Sequence, residues 1–133
     1  MARGVWVRDG NINALNAAKP RIARVCEQFI ADVLKPRFLP EIRPSTEFNF
    51  PVDIVGKWHG TNYRFMTRYK CGGKNRTADG FDAPFARFEG RGSDLFDVSW
   101  HRHTGQWHPM FQGLTLKEAL DMIESVPTLQ PVC

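Results

Sequence analysis

The sequence predicts a two-layer α+β domain: an antiparallel meander of four to five strands, covered on one face by an N-terminal and a C-terminal helix. Three observations carry this. Several short segments alternate apolar and polar residues with the period of two that marks half-buried strands. They follow one another with short Gly-containing connections, which suit antiparallel pairing. Two segments with the helical period flank them, each with a single apolar face that needs a sheet to cover.

The first helix is expected around Pro20, a residue suited to a first turn. Ile22, Val25, Cys26, Phe29, Ile30 and Val33 form one apolar stripe. Lys35-Pro36 should end the helix, because a residue before proline is pushed out of the helical region. Residues 1–13 ahead of it read as an irregular arm. Pro36, Pro40 and Pro44 space a stiff connector with Phe38, Leu39 and Ile42 against the core edge.

The strands follow. Glu47 to Val55 places Phe48, Phe50, Val52 and Ile54 on one face, and Pro51 marks an edge strand or a bulge. Residues 56–62 read as a turn. Tyr63 to Cys71 alternates Tyr63, Phe65, Thr67 and Tyr69 with a solvated basic face of Arg64, Met66, Arg68 and Lys70. Residues 72–80 form a polar loop. A third strand covers 81–89, and 95–102 and 107–111 make a hairpin about Thr104-Gly105. Thr115-Leu116-Lys117-Glu118 is a capping box that opens the last helix. Pro127 closes it, so residues 14–126 make one domain and 127–133 a loose tail.

Composition bounds the function. At 133 residues the chain can bury a core without disulfides or metal. The net charge of +4 permits an acidic partner without requiring nucleic acid. The three cysteines, Cys26, Cys71 and Cys133, make no CxxC pair and read as free thiols of a reducing, cytoplasmic compartment. Cys26 lies in the helix stripe and packs in the core. GVWV near the start is too short for a secretory leader, and no apolar run could span a membrane, so no membrane partner is expected.

Four constellations could carry function. A two-residue hairpin loop would pair His101 with His108, placing them with His103 and Asp97 on one face as a candidate metal set. Zinc or a similar divalent metal is the cofactor these residues admit; otherwise none is expected. The other face would hold Trp100, Trp107 and Arg102, with Trp100 and Trp107 read as core. Arg102 would stack on Trp107, and the two form a candidate ligand or partner surface. Arg64, Arg68, Lys70, Lys74 and Arg76 make a candidate nucleic-acid surface. Glu89-Gly90-Arg91 loosely resembles the acidic-x-basic triplet of some nucleases and is read as a turn. No G-x-S-x-G, phosphate-binding Gly loop or H-E-x-x-H occurs, which favours a non-enzyme.

The run Pro84-Phe85-Ala86-Arg87-Phe88, followed by Trp100, Arg102, Trp107 and His108 and a short Leu- and Glu-bearing helix, resembles the bacterial domain-of-unknown-function family numbered 3024. The likeness runs in order over about residues 20 to 125, and its last third is the specific part. Phe96 stands where that family usually has Trp, and Thr104 where it has Asp. The resemblance implies a domain type and no reaction, and it draws attention to Trp107-His108. The expectation is therefore a small non-catalytic domain that contacts a protein or ligand, or associates with itself. A nucleic-acid-binding module and a metal-binding protein are the alternatives.

Overall fold

In the computed structural model the described residues are 2–39, 50–70, 80–102 and 104–131, with side chains from residue 12 onward. Five antiparallel strands lie in sequence order in one open sheet: β1 (Phe50–His59), β2 (Asn62–Lys70), β3 (Gly80–Gly92), β4 (Leu95–His101) and β5 (Trp107–Leu114). Helix α1 (Ala2–Phe29) precedes them and α3 (Leu116–Ser125) follows. Helix α1 packs on β3 and β1, while α3 packs on β4 and β5. The expected two-layer meander is what forms.

One face of the sheet is apolar because the parity of each strand agrees with its neighbours'. Tyr63 and Phe65 of β2 pair with Phe88 and Ala86 of β3, which pair in turn with Val98 and Trp100 of β4. Tyr63, Phe65, Phe88, Phe96 and Val98 are almost wholly buried beneath the helices. Pro51 does lie on an edge strand, beside a register shift between Pro51 and Asp53. The capping box is present: Glu118 N–H donates to the Thr115 hydroxyl, and the Glu118 carboxylate accepts from Thr115 N–H. Leu116 N–H also donates to Asp94, tying α3 to the β3–β4 turn at 2.7 Å.

Five expectations are corrected. Residues 2–13 are not an irregular arm: the backbone is helical from Ala2, and Pro20 lies inside α1 rather than in its first turn. The core stripe is Leu15, Ala18, Ile22, Cys26, Ile30 and Leu34, whereas Val25 is 38% exposed. Lys35-Pro36 does not stop the helix. A π turn (Ile30–Leu34) leads into a short α2 (Lys35–Phe38), with Lys35 N–H donating to the Ile30 carbonyl. Widening that turn helps accommodate a proline, which offers no amide donor and crowds the preceding turn. Phe38 and Leu39 do pack against the core edge.

The other two corrections concern the strands and the tail. Residues 56–59 belong to β1, and the chain reverses at Gly60-Thr61, where Gly60 has a φ of +63°. The segment after Pro127 is not loose as far as Pro131. It forms a 3₁₀ turn (Pro127–Leu129), buries Leu129, and directs the Gln130 amide to the carbonyls of Ile123 and Glu124 at 3.1 and 3.0 Å. The polar loop over 72–79, residues 47–49 of the first predicted strand and the connector beyond Leu39 lie outside the described residues.

Gly56 extends β1 beneath an aromatic ring. A β-carbon there would meet Tyr63 Cε2 and Cζ at 2.6 Å. The ring has little room to retreat, because Tyr63 is 1% exposed and sits edge-on between Trp58 and Phe65, each ring centroid 5.3 Å away. We expect Gly56→Ala to cost about 1–3 kcal/mol through overpacking. Urea unfolding of the two proteins measures it; an unchanged midpoint would show that the ring is free to move.

Candidate functional site

The face of the sheet that the helices leave uncovered is set by the same parity. Where Tyr63, Phe65 and Phe88 point into the core, the intervening residues point away. Register then aligns them across strands: Lys57 pairs with Arg64, Arg64 with Arg87, and Arg87 with Ser99. Three cationic side chains from β1, β2 and β3 therefore form one row. With strands about 4.8 Å apart, the row spans about 10 Å.

The row ends at Trp107. The Arg87 guanidinium lies 4.7 Å from the Trp107 ring centroid and that of Arg64 lies 5.8 Å from it. His101 pairs with Trp107 and meets its ring edge-on at 4.9 Å. Arg64, Arg87, His101 and Trp107 are all half-buried. Like charges directly opposite one another in a sheet repel, and here they are also partly removed from water. Among the described residues, no carboxylate lies at ion-pair distance from Arg64 or Arg87, and the Nε atoms of both are buried without a hydrogen-bond partner. Burial holds the Arg87 guanidinium below its usual range; Glu89 pulls the other way and Arg64 reinforces the fall. His101 is held below its ordinary value by burial, with Arg64 adding to the effect.

Several other charged groups of this face are already engaged. Arg68 holds Asp82 through two hydrogen bonds of 2.9 and 3.2 Å. Lys35 pairs with Asp53 at 2.9 Å. Asp97 is 7% exposed, takes an ion pair from Arg91 and accepts the Gly113 N–H at 3.1 Å. Asp97 and Arg91 thus lock the β3–β4 turn to the end of β5, and Glu89-Gly90-Arg91 is strand rather than turn.

The histidine prediction fails on register. The N–H of Arg102 donates to the Gln106 carbonyl and that of Gly105 to the Arg102 carbonyl, both at 2.9 Å. Three residues, not two, separate the paired positions, and Gly105 takes the positive φ of +87°. His101 consequently pairs with Trp107, and His108 with Trp100. His101 and His108 point to opposite faces and cannot share a metal. His103 lies outside the described residues, and no three His, Cys, Asp or Glu side chains come together among those described. Trp100 packs against the core and Trp107 does not. Arg102 follows Trp100, with its guanidinium 5.7 Å from that ring and 3.4 Å from the His108 Nε2, so it does not stack on Trp107.

Of the predicted basic surface, Arg64 joins the row, Arg68 is tied to Asp82, Lys70 is exposed at the far end of β2, and Lys74 and Arg76 lie outside the described residues. Lys57 and Arg87 were missed. Lys57 fell in a segment read as a turn, and Arg87 joins Arg64 only through a β2–β3 register that alternation does not reveal.

No helix among the described residues is long and apolar enough to cross a membrane. The family model described as "Domain of unknown function (DUF3024)" matches residues 15–129. No curated protein and no solved structure matches the chain.

The titration of His101 is measurable in stability. Its folded value lies below the unfolded 6.5, so between the two the unfolded chain binds the extra proton. Stability should therefore fall as pH drops through about 6.5. We expect His101→Gln to lose less stability than the parent between about pH 7.5 and 5.5, read as the urea midpoint at each pH. Equal losses would mean that Arg64 and burial leave His101 undisturbed.

Proposed function

The chain belongs to that family, whose description assigns no activity, and we propose that it is a non-catalytic binding domain that receives an anionic partner on the uncovered face of its sheet. The observation that supports this reading is the row Lys57–Arg64–Arg87, closed by Trp107, in which two half-buried guanidiniums have no carboxylate partner among the described residues. Leaving buried donors unmatched costs stability, and like charges in direct register add to that cost. An anion lying along the row would satisfy the donors and screen the repulsion together. Guanidinium forks suit the oxygens of phosphate or carboxylate, and the Trp107 ring holds Arg87 in place before binding.

The row's hydroxyl, Ser99, is buried, and the histidine beside the row, His101, is held toward its neutral form. The thiol of Cys26 is out of reach: it is buried on the core-facing side of α1, and burial, with Glu27 contributing, pushes it up to about 12.

Tripolyphosphate, a short linear polyanion, tests the reading at constant ionic strength. A ligand at about 100 times its Kd stabilises by about 2.7 kcal/mol, which for a domain of this size raises Tm by roughly 5–15 °C. We expect such a rise in the parent protein and little in Arg64→Gln/Arg87→Gln. A rise of equal size in both proteins, or none in the parent, would rule the row out as the anion site.

A further inference from the structure

We propose that the anion taken by this face is the backbone of a single-stranded nucleic acid, with phosphates on Lys57 and Arg64 and a base stacked on the Arg87–Trp107 pair; this deepens the binding reading above and rests on it. The argument lies in what the row contains besides charge. An acidic peptide or an inorganic polyphosphate would be served by cations alone. Here the cations run onto a set of flat π surfaces: the Arg87 guanidinium 4.7 Å from the Trp107 ring, and the His101 ring 4.9 Å from the same indole. A planar guanidinium or aromatic face is what an unstacked base requires, and stacking works for every base because each has a π face.

The layout favours a single strand over a duplex. The cations follow the cross-strand direction, one per strand through β1, β2 and β3, and the rings follow on the β4–β5 hairpin. A strand laid across the sheet would meet charge first and stacking surface next. The surface is a sheet face made of half-buried side chains, and no helix or ribbon among the described residues of this face projects far enough to enter a duplex groove. The carboxylates of the face do not obstruct such a path. Asp82, Asp53 and Asp97 are each paired with a cation of their own, and Glu89 lies in the next cross-strand row, opposite Asn62 and Asp97. Ser99 stands beside Arg87 as a small polar neighbour that leaves room above the sheet.

The test uses the full chain and fluorescein-labelled oligo(dT) and oligo(U) of about 20 nucleotides, read by anisotropy, with tryptophan fluorescence followed in parallel. Tripolyphosphate, poly-glutamate and a duplex of the same length are the comparison ligands. The proposal expects binding of the single strands that weakens with salt, with the slope of log K against log salt reduced by about 0.7 for each of Lys57→Gln and Arg64→Gln. It expects Trp107→Leu to weaken oligonucleotide binding about 5- to 100-fold and tripolyphosphate binding by much less, since the base loses its stacking surface outright whereas the cations that meet phosphate remain. Arg87→Lys keeps the charge and loses the planar face, so it should retain the salt slope and lose the affinity. Tryptophan quenching should accompany binding and disappear in Trp107→Phe. A thermal melt confirms that each variant is folded.

The proposal is overturned if the oligonucleotides bind no tighter than poly-glutamate, if the duplex binds tighter than the single strands, or if Trp107→Leu weakens tripolyphosphate as much as oligo(dT). In each case, tripolyphosphate binding that depends on Arg64 leaves the broader anion-binding reading standing. Loss of that dependence removes both.

Discussion

A connected run of aromatic rings holds this sheet to its helices. Trp58 meets Tyr63 edge-on, Tyr63 meets Phe65, Phe65 meets Phe88 at 4.9 Å, and Phe88 leans on Phe96 at 6.0 Å. The run crosses four of the five strands on their covered face. Each ring brings a large buried area and a preferred edge-to-face approach, so the run constrains strand register as well as affinity between layers. The helices are pinned to it: Trp58 donates its indole N–H to the Lys19 carbonyl of α1 at 3.2 Å, and Leu15 lies against Gly90. A one-residue slip in any of these strands would move a ring from the core to water.

The cationic row follows from that constraint. Once Tyr63 and Phe88 must face one another in the core, the next residue on each strand must face its counterpart outside, and those residues are Arg64 and Arg87. Selecting the aromatic run selects the juxtaposition of charges. A neutral residue at either position would leave the core untouched and relieve the repulsion. The pair is therefore an addition to the fold, with its own demand for a partner, and Trp107 reaches it from the far edge of the sheet to meet part of that demand.

Much of the fold was legible because it depends on short-range period. The alternation Tyr63, Phe65, Thr67 and the capping box at Thr115 announce themselves within a few residues, and both stand as expected. What was not legible depends on register. A loop of two residues rather than three shifts every pairing of the hairpin by one, which sets His108 opposite His101 and Arg102 opposite Trp107 instead of the observed partners. Gly105 is compatible with both loop lengths. Arg87 is separated from Arg64 by 23 positions of chain, and no local pattern could bring them together. The first helix misled for a different reason: Pro20 and Pro36 are conventional punctuation, yet α1 runs past the first and α2, entered through the π turn, contains the second.

That π turn has a consequence for how the chain tolerates length changes. From Ala18 the core stripe advances by four residues each time, through Ile22, Cys26, Ile30 and Leu34. In an α-helix each step of four overshoots a full turn by about 40°, so the stripe would spiral away from a flat sheet. The wider turn at Ile30–Leu34 winds the last step back and keeps Leu34 at 0% exposure. The segment thus behaves as a vernier, trading one residue of length for a correction in azimuth. A single residue lost there is absorbed as the wide turn closes to an α turn, whereas one lost earlier in α1 would swing Leu34 and Phe38 about 100° around the helix axis, away from the layer they seal. The same loss in a surface turn would merely shorten a loop.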